Sequence, residues 1–170
     1  MIYDLKSWKD IEIFANQHNL FDNKTHWLLD IDDTLIETTQ YIGSTKWFDS
    51  EIKHNPGNEH IIINIWSNMV KYLQFKLIDS NIPNILNKIK GNISALTSRN
   101  SFVKTETYNT LQKLELRRIK IIQFCGSNKK YNMVNIEKNM NYVFIDDKYS
   151  HILSMNNKFP NIHCIWFNPK

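Results

Sequence analysis

Short apolar runs and stretches of helical spacing alternate along most of this chain, and the two periods predict its elements. Trp8, Ile11, Phe14 and Ala15 share one face of a helix expected from about Trp8 to His18, opened by Ser7 with Asp10 three residues later in the manner of a capping box. HWLLDI (26–31) is an apolar run that ends abruptly in carboxylates, the pattern of a buried parallel strand. From Glu37 to about Glu59 the chain turns polar, with Gly43, Asn55-Pro56 and Gly57 as breakers and Trp47-Phe48 as an apolar island, which predicts a flap. Ile62, Ile65, Trp66, Met69, Leu73 and Leu77 return to helical spacing. A shorter helix with Pro83 near its start carries Ile85, Leu86 and Ile89 before Gly91 stops it. Strand and helix then alternate: NISALT (92–97), a helix from Phe102 to Leu114, KIIQF (120–124), a helix from Tyr131 to Lys138, NYVFID (141–146), a helix near Tyr149 to Asn156, and HCIWF (163–167). Five short apolar strands separated by helical patterns predict an α/β fold of right-handed βαβ units around a mostly parallel sheet.

At 170 residues, with 42% hydrophobic and 22% charged positions, the chain can bury a continuous core and falls outside the composition of disordered proteins. The whole of 1–170 is expected to form a single domain. The net charge of +4 comes almost entirely from lysine, since Arg99, Arg117 and Arg118 are the three arginines. That permits nucleic acid as a partner but does not favour it, because base readers rely on the bidentate fork of arginine. No apolar run approaches the length of a membrane span, and the charged N-terminus lacks a signal-peptide core. Two cysteines, Cys125 and Cys164, are too few for a disulfide scaffold and fit a reducing compartment, so a cytoplasmic location is expected.

Charge becomes informative at the strand ends. Asp30-Ile31-Asp32-Asp33-Thr34-Leu35 follows the apolar Leu28-Leu29, and in an extended chain Asp30 and Asp32 lie on one side, about 6 to 7 Å apart. Two like charges so placed call for a cation, and Mg²⁺ is the cation that takes one or two carboxylates together with substrate phosphate. A second acidic pair, Asp146-Asp147, ends the strand Tyr142–Ile145 in the same way. Between the two pairs come Thr97-Ser98-Arg99 after one strand and Lys129-Lys130 after another, hydroxyls and cations suited to phosphate oxygens. Capping of the following helices explains each acidic pair alone, but not both with the groups between them.

This ordered set resembles the motifs of the haloacid dehalogenase superfamily of Mg²⁺-dependent phosphatases and phosphotransferases. The match runs through the DxDxT motif at Asp30, Asp32 and Thr34, the strand-end Thr97, a lysine at Lys129 with Lys130 as the alternative, and the acidic pair Asp146 and Asp147. DIDDTL, followed by Gly43–Phe48 and Ala95–Arg99, looks like a phosphatase-like branch. The resemblance implies a Rossmann-like three-layer α/β/α core over about 20–36 and 90–170, with a flap and small helical cap over about 37–89, the cap helices built by 60–89. It implies a phosphomonoester hydrolase with Mg²⁺ as cofactor and an aspartyl-phosphate intermediate, acting on a phosphorylated substrate that the sequence does not name. Asp30 would be the nucleophile and Asp32 the acid and base, with Thr97 and Lys129 on the phosphoryl oxygens. The metal would be held by Asp30, Asp32 through its carbonyl, and Asp146 or Asp147. Ser98, Arg99 and Trp47 are candidates for substrate contact, beside Thr97 and Lys129. In the sheet order typical of the family, Cys125 and Cys164 are expected near opposite edges and unpaired. The alternatives are the same chemistry on nucleotides or nucleic-acid ends, and a non-catalytic binding protein of the same fold. A receiver domain uses similar residues in another order and does not fit.

Overall fold

The computed structural model describes residues 1–169. Within them β1 (Ile2–Leu5), β2 (Thr25–Leu29), β5 (Ile93–Thr97), β6 (Ile121–Phe124), β7 (Asn141–Asp146) and β8 (His163–Phe167) form one sheet in the order β1-β8-β7-β2-β5-β6, every neighbouring pair parallel. The strands take their alternation from the pleat. Trp27 and Leu29 of β2, Val143 and Ile145 of β7, and Ile93 and Ala95 of β5 enter one core, while Leu28, Phe144 and Leu96 enter a second core on the opposite face. The first core is covered by α1 (Trp8–Gln17), α4 (Ile82–Lys88) and α5 (Lys104–Lys113), the second by α6 (Tyr149–Lys158). This is an α/β sheet with helices on both sides.

Helix α1 begins as its sequence requires. Ser7 is extended and its Oγ accepts the Asp10 N–H at 3.1 Å, and the expected face of Trp8, Ile11, Phe14 and Ala15 is buried. The sheet has six strands where apolar runs gave five, because IYDL at the N-terminus joins the edge, Ile2 beside Cys164 and Leu5 beside Phe167. Four residues of mixed character leave little period to read. Cys125 and Cys164 are free and buried.

Between β2 and β5 the structure departs from the expected cap in three ways. The polar stretch read as a flap contains α2 (Thr45–His54), capped by the Ser44 hydroxyl on the Trp47 N–H at 3.2 Å. The helix expected through Leu77 ends at Met69 as α3 (Glu59–Met69). Phe75 and Leu77 lie instead in β4 (Phe75–Leu77), antiparallel to β3 (Ile36–Thr38). Their two-residue spacing, with exposed Lys76 between them, is a strand pattern that helical spacing had masked. Finally, α4 sends Ile82, Ile85 and Leu86 into the first core, so it belongs to the layers and not to a cap. What stands beside the sheet's C-terminal edge is α2, α3 and the β3–β4 ribbon. They are joined by a small cluster of Trp66, Val70 and Val103 with Trp47, Phe48 and Phe75 against it.

The helix expected over Tyr131–Lys138 is only a short 3₁₀ turn, Lys130–Met133. Met133 packs against the second core from that turn, and Val134 and Ile136 do so from the irregular chain after it, with no helical period. Among the described residues no helix is long and apolar enough to cross a membrane.

Candidate active site

β2 lies in the middle of the sheet, between β7 and β5, so whatever follows Leu29 emerges between two neighbouring strand ends. Leu29 is in register with Ile145 on one side and Ala95 on the other, and the Asp30 N–H donates to the Ile145 carbonyl at 2.9 Å. Asp30 therefore stands beside Asp146, the last residue of β7. The chain then turns tightly. Ile31 and Leu35 are driven into the core with no exposed surface, Asp33 takes a left-handed backbone at φ 60°, and its N–H donates to the Ile36 carbonyl at 2.7 Å. Asp tolerates that conformation better than most residues. The turn is tied down by Trp8, whose Nε1 donates to the Thr34 carbonyl at 2.9 Å, and by Thr34, whose hydroxyl donates to Asp30 Oδ2 at 3.3 Å.

Lys130 closes the centre. Its Nζ is buried between Asp30 Oδ1 at 2.5 Å and Asp146 Oδ2 at 2.7 Å. Lys129, the lysine first expected there, is exposed. One residue decides this because the chain enters the 3₁₀ turn at Lys130, directing consecutive side chains apart. Asp146 also meets His151 Nδ1 at 3.0 Å and the Lys148 N–H at 2.8 Å, from the start of α6.

The remaining strand-end candidates divide. Thr97 is fully buried at the end of β5, and its Oγ1 accepts the Arg99 N–H at 3.1 Å. Ser98 is the residue there that borders the cleft. Arg99 does not fit a substrate contact: it has no exposed surface, and two of its nitrogens are taken up by Asp32. Trp47 packs in the small cluster beside Val103, and Phe48, the neighbouring aromatic, lines the cleft instead. The cleft is small and half open to solvent, with an interior of about 60 Å³. Its floor is the acidic centre, and the insertion covers it with Phe48, Ile63 and Trp66.

Electrostatics follow from burial. Burial pushes Asp30 up to about 6, with Lys130 opposing and Asp146 and Asp32 adding to the rise. Burial, then Asp32 and Asp30, raise Asp33 to about 7; its carboxylate accepts from the Thr45 hydroxyl. Burial, then Asp146 and Asp30, raise Asp147 to about 9. Asp146 is different: burial pushes it up, but Lys130 and His151 outweigh that and hold it well below the usual carboxylate range. Burial likewise lowers Lys130, and Asp146 and Asp30 more than reverse it. The centre thus carries more negative charge than its lysine offsets. Asp30, Asp146 and Asp147 offer carboxylate oxygens within 4.8 Å of one another, an all-oxygen donor set that suits a hard divalent cation such as Mg²⁺. The Asp32 carboxylate is outside this group, being held by Arg99.

Sequence reasoning missed Asp33, Thr45, Lys148 and His151. Lys148 and His151 follow the second acidic pair within one helical turn, a signal that strand-end reasoning could have extended to.

The family described as "Protein of unknown function (DUF2608)" matches residues 4–142. No curated protein matches the sequence. Among solved structures, a class C acid phosphatase from Bacillus anthracis with tungstate bound is similar at 14% identity and a TM-score of 0.51, over 95% of this chain and 73% of that one. The HAD domain of effector protein Lem4 from Legionella pneumophila, an inactive mutant, aligns at 14% identity and a TM-score of 0.49, over 88% and 86%. The N-terminal part of protein BF1531 from Bacteroides fragilis, containing a phosphatase domain complexed with Mg, aligns at 16% and 0.43, over 92% and 39%. The likeness to the acid phosphatase is one of fold.

Proposed function

Since the chain belongs to the DUF2608 family, whose description names no activity, its chemistry has to be argued from its own site, and we propose that it is a Mg²⁺-dependent phosphomonoester hydrolase. The observation that carries this reading is the convergence of Asp30, Asp146 and Asp147 around the buried Lys130 at the C-terminal edge of the sheet. That edge is where α/β folds place their ligands.

Asp30 is the nucleophile. Its carboxylate oxygen forms a bond to phosphorus as the bond to the leaving oxygen breaks, leaving the phosphoryl group on Asp30. Asp32 gives a proton to the leaving oxygen, then takes one from the water that attacks phosphorus, releasing phosphate and restoring Asp30. Lys130 balances charge on the nucleophile, and Ser98 offers its hydroxyl to the phosphoryl oxygens at the mouth of β5. A Mg²⁺ ion held by Asp30, Asp146 or Asp147, and the Asp32 carbonyl would offset the charge of the phosphoryl oxygens. The leaving group would sit beside Asp32 in the cleft, whose lining includes Phe48, Ile63 and Trp66. The experiment is a Mg²⁺ assay on a panel of sugar phosphates, nucleotides, aryl phosphates and phosphorylated oligonucleotides. Turnover lost in EDTA and in Asp30→Asn supports the reading. No turnover on any ester, or full turnover by Asp30→Asn, overturns it.

A further inference from the structure

Burying a guanidinium is costly unless its donors are matched, and Arg99 is fully buried. Its Nε donates to Asp32 Oδ2 at 3.0 Å and its Nη2 to Asp32 Oδ1 at 2.7 Å, a two-pronged pairing that fixes both the place and the plane of the carboxylate. Nη1 donates to Thr107 Oγ1 at 3.1 Å, and that hydroxyl donates to the Val103 carbonyl at 2.8 Å, so α5 and the turn before it hold the guanidinium from the core. The rings of Phe75 on β4 and Trp66 on α3 lie 4.8 and 5.6 Å from Arg99 Cζ, within reach of a cation–π contact. Trp66 is tied in turn to the Gly43 carbonyl through Nε1 at 2.7 Å. One guanidinium therefore joins the DxD turn, the core helix α5 and the insertion.

We infer that Arg99 is a positioning residue for Asp32. It sets the orientation from which Asp32 hands a proton to the leaving oxygen, and the insertion holds that setting through Phe75 and Trp66. The inference rests on the hydrolase reading. Arg99 has no exposed surface with which to touch a substrate, so any effect it has on turnover passes through Asp32 or through folding. The distinction matters chemically: proton transfer needs the donor within hydrogen-bond reach of the leaving oxygen, and a misplacement of about 1 Å can cost roughly 10²-fold. A lysine would keep the charge and lose the fork.

The test compares wild type, Arg99→Lys, Asp32→Asn and the double variant, with Mg²⁺, on 4-nitrophenyl phosphate and on an alkyl phosphate. The first ester has a leaving group that departs without a proton; the second does not. The expected result is that Arg99→Lys lowers kcat/KM on the alkyl ester by about 10²-fold, the contribution of a general acid, with far less change on the nitrophenyl ester. In the Asp32→Asn background Arg99→Lys then lowers neither further. Phe75→Leu, at a residue outside the cleft lining, reproduces the ester-selective loss in weaker form. Equal losses on both esters, or an undiminished loss in the Asp32→Asn background, is the signature of a structural role and overturns the inference. An unselective Phe75→Leu overturns the insertion's part in it. A wild type that turns over neither ester overturns the hydrolase reading and this one with it, so the two failures are told apart.

Discussion

One peptide step separates a lysine at the acidic centre from a lysine in solvent. Lys130 is nearly covered and bridges Asp30 and Asp146, whereas Lys129 is exposed. Replacing Lys130 with Met is therefore expected to lower kcat/KM by about 10²-fold or more, the scale of losing one charge-stabilising donor. Lys129→Met is expected to leave it near wild type. Steady-state kinetics of the pair decide the matter, and equal losses would remove Lys130 from its place. The pattern of residues at strand ends located the centre but could not choose between adjacent lysines. That choice belongs to a four-residue 3₁₀ turn, too short to carry a period. Arg99 shows the same limit. Its place after β5 was legible, but its burial depends on Trp66 and Phe75 arriving from segments far away in the chain.

At the scale of elements, strands with unbroken apolar runs were legible, and elements with weak patterns were not. β2, β5, β7 and β8 are buried on both faces, so their composition announces them. α2 buries none of its residues fully, and its few apolar positions, Trp47, Phe48 and Ile52, are set among polar ones, which is why it read as a flap. Gly91 was read as a helix stop, but α4 ends at Lys88 with Ile89 as its cap, and the glycine is needed for another reason. A Cβ there would lie 1.9 Å from the Thr25 carbonyl oxygen, at the point where the chain entering β5 passes the start of β2. Gly91→Ala is expected to destabilise the fold by about 3 kcal/mol, the upper range for overpacking. Gly57→Ala, at φ 83° with open space around it, is expected to cost only about 1 kcal/mol from its left-handed backbone. Urea unfolding of the two variants measures both, and a Gly91→Ala protein as stable as wild type would contradict the close approach.

For the whole molecule, the excess positive charge coexists with a carboxylate centre that is strained without a cation. Asp30, Asp33 and Asp147 rise to about 6, 7 and 9 from 3.8, so the folded chain binds more protons than the unfolded one across that span. Their contribution to stability is complete below the ordinary carboxylate range and is lost as pH rises through those values. Asp146, held low, works the opposite way but only in acid. The melting temperature in EDTA is therefore expected to fall between about pH 5 and pH 9, and Mg²⁺ to blunt the fall; a rise over that range in EDTA would contradict this account of the centre. The central claim is that Asp30 carries the phosphoryl group, and acid-quenched turnover followed by peptide mass analysis tests it most directly. A phosphoryl adduct on the peptide holding Asp30, formed with Mg²⁺ and absent in EDTA and in Asp30→Asn, is the predicted result. Turnover that persists undiminished in Asp30→Asn, with no adduct at that position in the wild type, would contradict it.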